Sequence, residues 1–177
     1  MPPNAAPTLE TERLILRGVR SSDLDILLEM WCEPKVFKFI AGKPSTREDC
    51  WRGILRDIGQ WQTVGFGFWV LEEKSSGAII GEAGFLDCKR DIIPSMDETP
   101  ELGWVLFTAY HGLGYATEAM NRIAAWGDQN LTQHMTACII APENTASIRV
   151  AHKLGFNQIA QTKYHDEPTL LFHRRKH

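Results

Sequence analysis

The segment from Tyr110 to Ala119 carries the pattern in this chain that most directly suggests ligand chemistry. Gly112 and Gly114 stand where an apolar run typical of a β-strand gives way to a helical pattern. A glycine turn between strand and helix presents free backbone N–H groups, and the helix end adds about half a positive charge. Glycine also lets a ligand approach the backbone closely, because it has no Cβ atom. The pattern therefore predicts a site for a diphosphate-bearing cofactor.

Several interpretations of this turn are open. A P-loop requires Lys and then Ser or Thr after its last glycine, but Tyr115 follows Gly114 here. A dinucleotide fingerprint requires a third glycine and a place just after the first strand, and both are missing. Coenzyme A would place its diphosphate on the amides of residues 113–117. A plain strand-to-helix turn that binds no ligand is the remaining alternative.

Length and composition indicate one globular domain. The chain has 177 residues, of which 44% are hydrophobic and 23% charged, as is ordinary for such a domain. The net charge of −3 argues against a nucleic-acid partner, and we expect the basic run 173–177 to be a solvated tail. No apolar run approaches the roughly 18 residues of a membrane helix, and no signal peptide is evident. We expect a cytoplasmic protein without membrane contact, with a flexible N-terminus at residues 1–8 and a single domain at residues 9–177.

The titratable side chains show no metal-binding pattern. The four cysteines are scattered, and none forms a CxxC pair. The histidines lack a metal-like spacing with carboxylates. We therefore expect no metal in this protein.

Hydrophobic periodicity predicts the elements that must position the turn. Seven apolar runs predict strands, and four segments with apolar residues three and four apart predict helices. The helix that begins at Thr46 places five apolar residues on one side, namely Trp51, Ile54, Leu55, Ile58 and Trp61. The element order β-α-α-β-β-β-α-β-α-β-β favours an α/β class with one mixed sheet and helices on both faces. The strands are predicted at 12–17, 68–72, 78–87, 101–107, 135–141, 156–164 and 169–174.

A second segment, from Asn144 to Phe156, ends in Lys-Leu-Gly-Phe. Together with the glycine turn and the segments 11–17, 80–85 and 101–106, it resembles the GNAT superfamily of N-acetyltransferases. The closer resemblance is to the RimJ/RimL-type branch. The resemblance implies the GNAT fold, a twisted, mostly antiparallel sheet of six to seven strands with helices on both faces.

The resemblance also implies acetyl-CoA as the acetyl donor, with coenzyme A as a product. It places the pantetheine arm along the fourth predicted strand and the diphosphate on the turn from His111 to Thr117. The family turn begins with Arg or Gln, so His111 departs from it, whereas the backbone contacts need only the glycines. Asn144 resembles the asparagine that binds pantetheine, and its alternative role is in the turn before its helix. The implied cofactor-binding residues are Trp104, Val105, Leu106, His111, Gly112, Leu113, Gly114, Tyr115, Ala116, Thr117, Asn144 and Ser147.

Acetyl transfer to an amine requires a neutral nitrogen and a donor for the developing oxyanion. A lysine amine costs about 4.6 kcal/mol to deprotonate at pH 7 and an α-amine about 1.2 kcal/mol. Glu101, which opens the fourth predicted strand, is the candidate general base, and a salt-bridged or solvated glutamate is the alternative. Glu82 on the neighbouring strand is a second candidate, unless it points to solvent. By resemblance, the N–H of Val105 is the candidate oxyanion donor.

The leaving thiolate benefits from a nearby acid. Ala151 stands where many relatives have a tyrosine that acts as general acid. Ser147, one turn earlier on the same helix, resembles the serine that relatives without the tyrosine use near the thiol, and helix capping is its alternative role. No cysteine is placed near the thioester by motif, so we expect direct transfer in a ternary complex.

The acceptor is a primary amine, and its identity is open between a protein N-terminus, a polyamine, an antibiotic and a small metabolite. The resemblance places it opposite the cofactor, near the loop 89–99, where Asp91, Asp97 and Glu98 either attract an ammonium group or are solvated. Analogy with the family suggests a homodimer. A catalytically silent acyl-CoA-binding sensor and a nucleotide-binding oxidoreductase are the alternative functions.

Overall fold

A single eight-stranded sheet organises the computed structural model, which describes residues 5–176. Its order is β1-β2-β3-β4-β5-β6-β8-β7, and β5 and β6 are the only parallel neighbours among the strands of these residues. The predicted mixed, mostly antiparallel sheet is confirmed. The predicted count of six to seven strands is wrong, because Leu9 and Glu10 add a short edge strand to β2. The strands are β1 (Leu9–Glu10), β2 (Leu14–Gly18), β3 (Phe68–Glu73), β4 (Ile79–Leu86), β5 (Glu101–Leu106), β6 (Met135–Ile140), β7 (Asn157–Tyr164) and β8 (Glu167–Arg175).

Helices cover both faces of the sheet, as the sequence predicts. On one face, Leu27 of α1 and Ile54 of α3 pack with Val70 of β3. On the other face, Met120 of α4 and Leu154 of α5 join the larger core cluster. The helices are α1 (Leu24–Trp31), α2 (Pro34–Phe37), α3 (Arg47–Thr63), α4 (Tyr115–Asn130) and α5 (Thr145–Lys153).

Two details of the helices differ from what the sequence predicts. Trp51 and Leu55, predicted on the buried side of α3, are 38% and 51% exposed. Each lies one residue after the buried stripe, which turns it about 100° away from the sheet. Pro34 follows the end of α1 and also begins the short α2, where its missing N–H leaves no helical hydrogen bond unmade. The buried stripe of α3 consists of Cys50, Ile54, Asp57 and Trp61.

Three tryptophan rings join α3, β3 and α4 at the centre of the larger core cluster. The ring centroids of Trp61 and Trp69 are 4.6 Å apart, and both rings meet Trp126 edge to face. The indole N–H of Trp69 donates to the carbonyl oxygen of Pro7 at 2.7 Å, and Ala6 packs against the same cluster. The described part of the segment predicted to be flexible therefore contacts the sheet, while residues 1–4 lie outside the described residues.

Replacing Gly127 by alanine tests how closely α4 packs on the sheet. A Cβ atom there would lie 2.4 Å from Cζ of the buried Phe85 ring. Such overpacking costs about 1–3 kcal/mol, which exceeds the roughly 1 kcal/mol that alanine gains over glycine within a helix. We expect G127A to lower the free energy of unfolding in urea. The matched control is G59A in α3, where a Cβ atom meets nothing within 4 Å, and it should raise that free energy. A gain in both variants would contradict the close packing.

Candidate active site

The glycine turn forms the N-terminal end of α4. Gly112 and Gly114 have φ angles of +77° and +86°, in the region that only glycine adopts without strain, and Gly114 is the N-cap. Within residues 5–176, the backbone N–H groups of residues 112–117 have no backbone acceptor. These donors and the positive end of the helix dipole together suit an anion such as a diphosphate.

Arg13, to which the sequence assigns no role, braces this turn. Its Nη1 donates to the carbonyl oxygen of Leu113 at 3.0 Å, and its Nε lies 2.7 Å from a carboxylate oxygen of Glu118 in the first turn of α4. Its guanidinium lies 4.0 Å from the centroid of the Tyr115 ring. Arg13 belongs to a segment that carries the family resemblance, but its partners lie about a hundred residues later in the chain. Its contact with the glycine turn is therefore evident only from the tertiary structure.

The side chain of His111 faces β5. Its Nε2 lies 2.8 Å from the carbonyl oxygen of Leu106. A carbonyl oxygen only accepts, so this contact assigns the proton to Nε2, which donates. The imidazole is therefore engaged with the strand, and the donors described for an anion at this turn are those of the backbone.

The strands β5 and β6 separate soon after they begin. Their register is limited to Glu101 opposite Ala137, where the N–H of Ala137 donates to the carbonyl oxygen of Pro100 at 3.0 Å. Beyond that pair, no described strand hydrogen-bonds to this side of β5. Main-chain groups of β5 therefore line a gap that suits an extended chain, since such a chain forms hydrogen bonds as an added strand does.

The alternation of hydrogen bonds decides which residues of β5 face the gap. The N–H of Phe107 donates to the carbonyl oxygen of Ile80 at 3.0 Å, and successive residues point their main-chain groups to opposite sides. The N–H groups of Trp104 and Leu106 therefore face the gap, whereas that of Val105 faces β4. This differs from the expectation for Val105 as oxyanion donor, and the N–H of Trp104 is better placed for that role.

Asn144 and Ser147 meet at the N-terminus of α5, which follows β6. The Oδ1 atom of Asn144 accepts a hydrogen bond from the N–H of Ser147 at 3.1 Å, so Asn144 caps this helix. In the part of the chain that is described, the side-chain amide of Asn144 donates to no protein group, and the Ser147 hydroxyl has no partner. Both groups are therefore available to a ligand.

Glu101 is held in a buried ion pair. It is 5% exposed, and Nε and Nη2 of Arg90 lie 2.5 and 2.8 Å from its two carboxylate oxygens. The guanidinium of Arg90 also lies 4.9 Å from the centroid of the Tyr164 ring. Because Arg90 occupies both oxygens, Glu101 is poorly placed to take a proton from an amine. The ion pair corresponds to the salt-bridged alternative for this residue.

Glu82 in β4 is the second buried carboxylate on this part of the sheet. It is 3% exposed, so the alternative that it points to solvent is wrong, and it accepts a hydrogen bond from Nε1 of Trp31 at 2.9 Å. Burial raises the pKa of Glu82, and the negative charge of Asp57 raises it further. Asp57 in α3 is itself 2% exposed, and burial raises its pKa against the opposing effect of Arg56. These two carboxyl groups therefore keep their protons to a higher pH than solvated ones.

The loop between β4 and β5 presents its acidic residues to solvent. Asp91, Asp97 and Glu98 are all exposed. Among residues 5–176, no group of three or more His, Cys, Asp or Glu side chains is arranged to hold a metal. None of the described helices has the length and apolar character needed to cross a membrane.

Replacing Glu82 by glutamine tests the effect of burial on its pKa. A carboxyl group whose pKa rises on folding stabilises the protein fully below its unfolded pKa, near 4.3, and loses that contribution as the pH rises through its folded pKa. We therefore expect E82Q to gain stability relative to the wild type between about pH 5 and pH 9, by on the order of 1–3 kcal/mol at the upper end. Urea unfolding across this range measures the difference.

The matched control for this measurement is E48Q. Glu48 lies in α3 with 74% of its side chain exposed, so its removal lacks the effect of burial that distinguishes Glu82. A difference between E82Q and the wild type that depends on pH no more than that of E48Q would contradict the raised pKa.

The comparison with known proteins agrees with this geometry. A family model described as an acetyltransferase (GNAT) domain matches residues 13–157. An N-acetyltransferase of Bacillus licheniformis named p20, itself uncharacterized, is 29% identical over 152 residues, which cover 85% of this chain and 83% of p20.

Solved structures show the same relationship. A protein of Bordetella pertussis described as a GnaT-family acetyltransferase superposes with a TM-score of 0.85 and 28% identity, over 96% of this chain and 99% of its own. RimL, a ribosomal α-N-protein acetyltransferase solved with coenzyme A, shares the fold at a TM-score of 0.78 and 12% identity, over 96% of this chain and 98% of its own. The chain belongs to the GNAT acetyltransferase family and is an N-acetyltransferase that uses acetyl-CoA.

Proposed function

We propose that this enzyme transfers the acetyl group directly to a primary amine while both substrates are bound. The observation that carries the proposal is two neighbouring sets of free main-chain donors, one on the gap side of β5 and one at the turn of residues 112–117. These two sets fit a molecule with an extended amide-containing arm and a diphosphate. When bound, acetyl-CoA supplies a thioester carbonyl that an amine can attack.

Each residue at the gap has a proposed task. The carbonyl oxygen of Trp104 and the N–H of Leu106 hold the pantetheine arm, and the N–H of Trp104 stabilises negative charge on the thioester carbonyl oxygen. The side-chain amide of Asn144 donates to the same arm. The Ser147 hydroxyl gives a proton to the leaving sulfur, because it has no other partner among the described residues.

The chemistry of Cys138 supports direct transfer over an acyl-enzyme. Cys138 lies in β6 beside the residue that pairs with β5, but it is 1% exposed. Burial raises the pKa of its thiol, and a protonated thiol is a poor nucleophile. The attacking group is therefore the amine itself.

The acceptor that we propose is the amine of a small molecule or of a peptide. A peptide amine is included because the neighbour RimL is described as a ribosomal α-N-protein acetyltransferase. A cytoplasmic location and a homodimer remain part of the proposal, on the ground of the sequence alone.

Measuring the release of the coenzyme A thiol distinguishes the proposed function from its alternatives. With linear amines, aminoglycosides and peptides as acceptors, we expect steady release of coenzyme A that depends on the amine. Without an amine, rapid mixing with acetyl-CoA should give no burst of thiol equal to the enzyme concentration. S147A should lower kcat by about 10- to 100-fold while the Kd for coenzyme A stays unchanged.

Three results would contradict this proposal. A thiol burst without an amine would indicate an acyl-enzyme. A rise in melting temperature with acetyl-CoA, but no turnover with any acceptor, would indicate a sensor. A rise with NADH and none with acetyl-CoA would indicate a dinucleotide site, because a bound ligand stabilises the folded state by mass action.

The variant N144S separates capping from cofactor binding at α5. Serine caps a helix about as well as asparagine but lacks the side-chain amide. We expect N144S to keep the melting temperature within a few degrees and to weaken coenzyme A binding by about 5- to 10-fold, in line with the loss of one hydrogen bond. The companion variant N144A removes both the capping oxygen and the side-chain amide. It should therefore lower both the melting temperature and the affinity for coenzyme A. Unchanged coenzyme A affinity in N144S, measured by calorimetry, would exclude the amide from the site.

A further inference from the structure

A cavity of about 160 Å³ lies between α1, α3 and β4. Its innermost residues are Glu82 and Asp57, both buried, and Leu27 and Trp31 form part of its wall. The exposed residue Asp49 stands at its mouth. The cavity therefore leads from the surface of α3 to a pair of buried carboxyl groups.

Each of these two carboxyl groups accepts fewer hydrogen bonds than its two oxygen atoms allow. Glu82 accepts from Trp31 on Oε1, and Asp57 accepts from Arg56 on Oδ1. Within the described chain, no donor reaches the second oxygen of either side chain. Neither oxygen is among the buried unpartnered polar atoms of the described residues, so both face the open space of the cavity, where the donor of a ligand can reach them.

The charges around the cavity also favour a cation. Arg56 is the only basic residue among those described as lining it. Arg17, which lies on the same face of the sheet, is engaged by Asp23 and Glu72. The thiol of Cys50 stays neutral, since burial raises its pKa to about 11. A positively charged ligand would compensate the negative charge that these carboxyl groups acquire when they lose their protons.

The innermost part of the cavity lies next to the strand that binds the pantetheine arm in the proposed function. Glu82 stands opposite Val105 in the register of β4 and β5, so the two side chains lie on the same face of the sheet. The opposite edge of β5 lines the gap toward β6. An amine held at Glu82 would therefore lie on the same face of the sheet as Val105, beside the strand whose other edge lines the gap.

We propose that this cavity binds the acceptor as a primary ammonium group at the end of an unbranched alkyl chain, and that Glu82 receives its proton. This inference rests on the proposed acetyl transfer and names its substrate class, a small linear amine or diamine. A cavity of about 150 Å³ holds a molecule the size of benzene, so a chain of about four or five carbon atoms fills this one. The α-amine of a peptide fits less well, because its Cα atom carries two further bulky groups.

The protons balance in the resulting reaction. The ammonium nitrogen loses one proton to Glu82 and attacks the acetyl carbonyl carbon. The C–N bond forms as the C–S bond breaks, and the second proton leaves the nitrogen for the sulfur, with the Ser147 hydroxyl as relay. Glu82 then returns its proton to solvent through the mouth of the cavity.

The environment of Glu82 suits this transfer of a proton from the ammonium group. Burial raises the pKa of Glu82, Asp57 and Asp23 raise it further, and Trp31 and Arg56 oppose them. A carboxylate with a raised pKa is a stronger base than a solvated one, and it lowers the cost of deprotonating an alkylamine. Conversely, an ammonium group that binds beside it favours the ionised form and should displace a proton near neutral pH.

Binding of cadaverine in the absence of acetyl-CoA tests the cavity apart from catalysis. Titration calorimetry in two buffers of different ionisation enthalpy measures both the affinity and the protons released. We expect the wild type to bind cadaverine and to release protons near neutral pH. E82Q and D57N should each bind at least about tenfold more weakly, and E82Q should release fewer protons per bound cadaverine than the wild type does. The exposed-residue control E48Q should bind as the wild type does.

The outcomes distinguish this inference from the proposed function. Unchanged cadaverine affinity in E82Q and D57N would overturn it, whatever the enzyme acetylates. Turnover of a peptide α-amine that is equally fast in E82Q, with none of cadaverine, would also overturn it and leave the proposed function intact. Cadaverine binding that depends on Glu82, in a protein that does not bind coenzyme A, would support the cavity and reject the proposed function.

Discussion

The separation of β5 from β6 is the constraint on which the rest of this structure depends. Among the described residues, these parallel strands pair only at Glu101 and Ala137, so the main chain of β5 beyond that point has hydrogen-bonding groups that no described strand satisfies. Buried backbone groups rarely stay unpaired, and here they lie on the edge of a gap where an extended ligand can pair with them. The glycine turn adds a second set of free donors at the end of α4, and Arg13, which precedes β2, holds the turn in place.

The two buried glutamates on this face of the sheet differ because their partners differ. Arg90 occupies both oxygens of Glu101, which makes that carboxylate part of the framework that joins the β4–β5 loop to β5. Glu82 accepts a hydrogen bond from a neutral indole and lies near a second carboxyl group, so its pKa is raised and it keeps its proton to a higher pH. Arg90 therefore fixes the glutamate at the strand end, whereas no arginine among the described residues hydrogen-bonds to the glutamate in the neighbouring strand.

Much of the fold follows from local patterns in the chain. The period of the apolar residues predicts seven of the eight strands and the four longer helices, and the short strand Leu9–Glu10 is missed because two residues carry no period. In α3, the apolar pattern predicts the wrong buried face in part. Trp51 and Leu55 are apolar but exposed, whereas the polar residue Asp57 is buried against the sheet. A buried charge of this kind contradicts the rule from which such predictions are made.

The sequence by itself determined the glycine turn, the family and the coenzyme, because a left-handed turn before a helix is encoded by the residues that form it. Tertiary structure alone decided which carboxyl group is free and which N–H groups of β5 face the gap. Those properties arise from contacts between distant segments, such as Arg90 with Glu101, Trp31 with Glu82 and Phe107 with Ile80. Burial and charge neutralisation depend on all the elements packed around a group, and no local pattern contains that information.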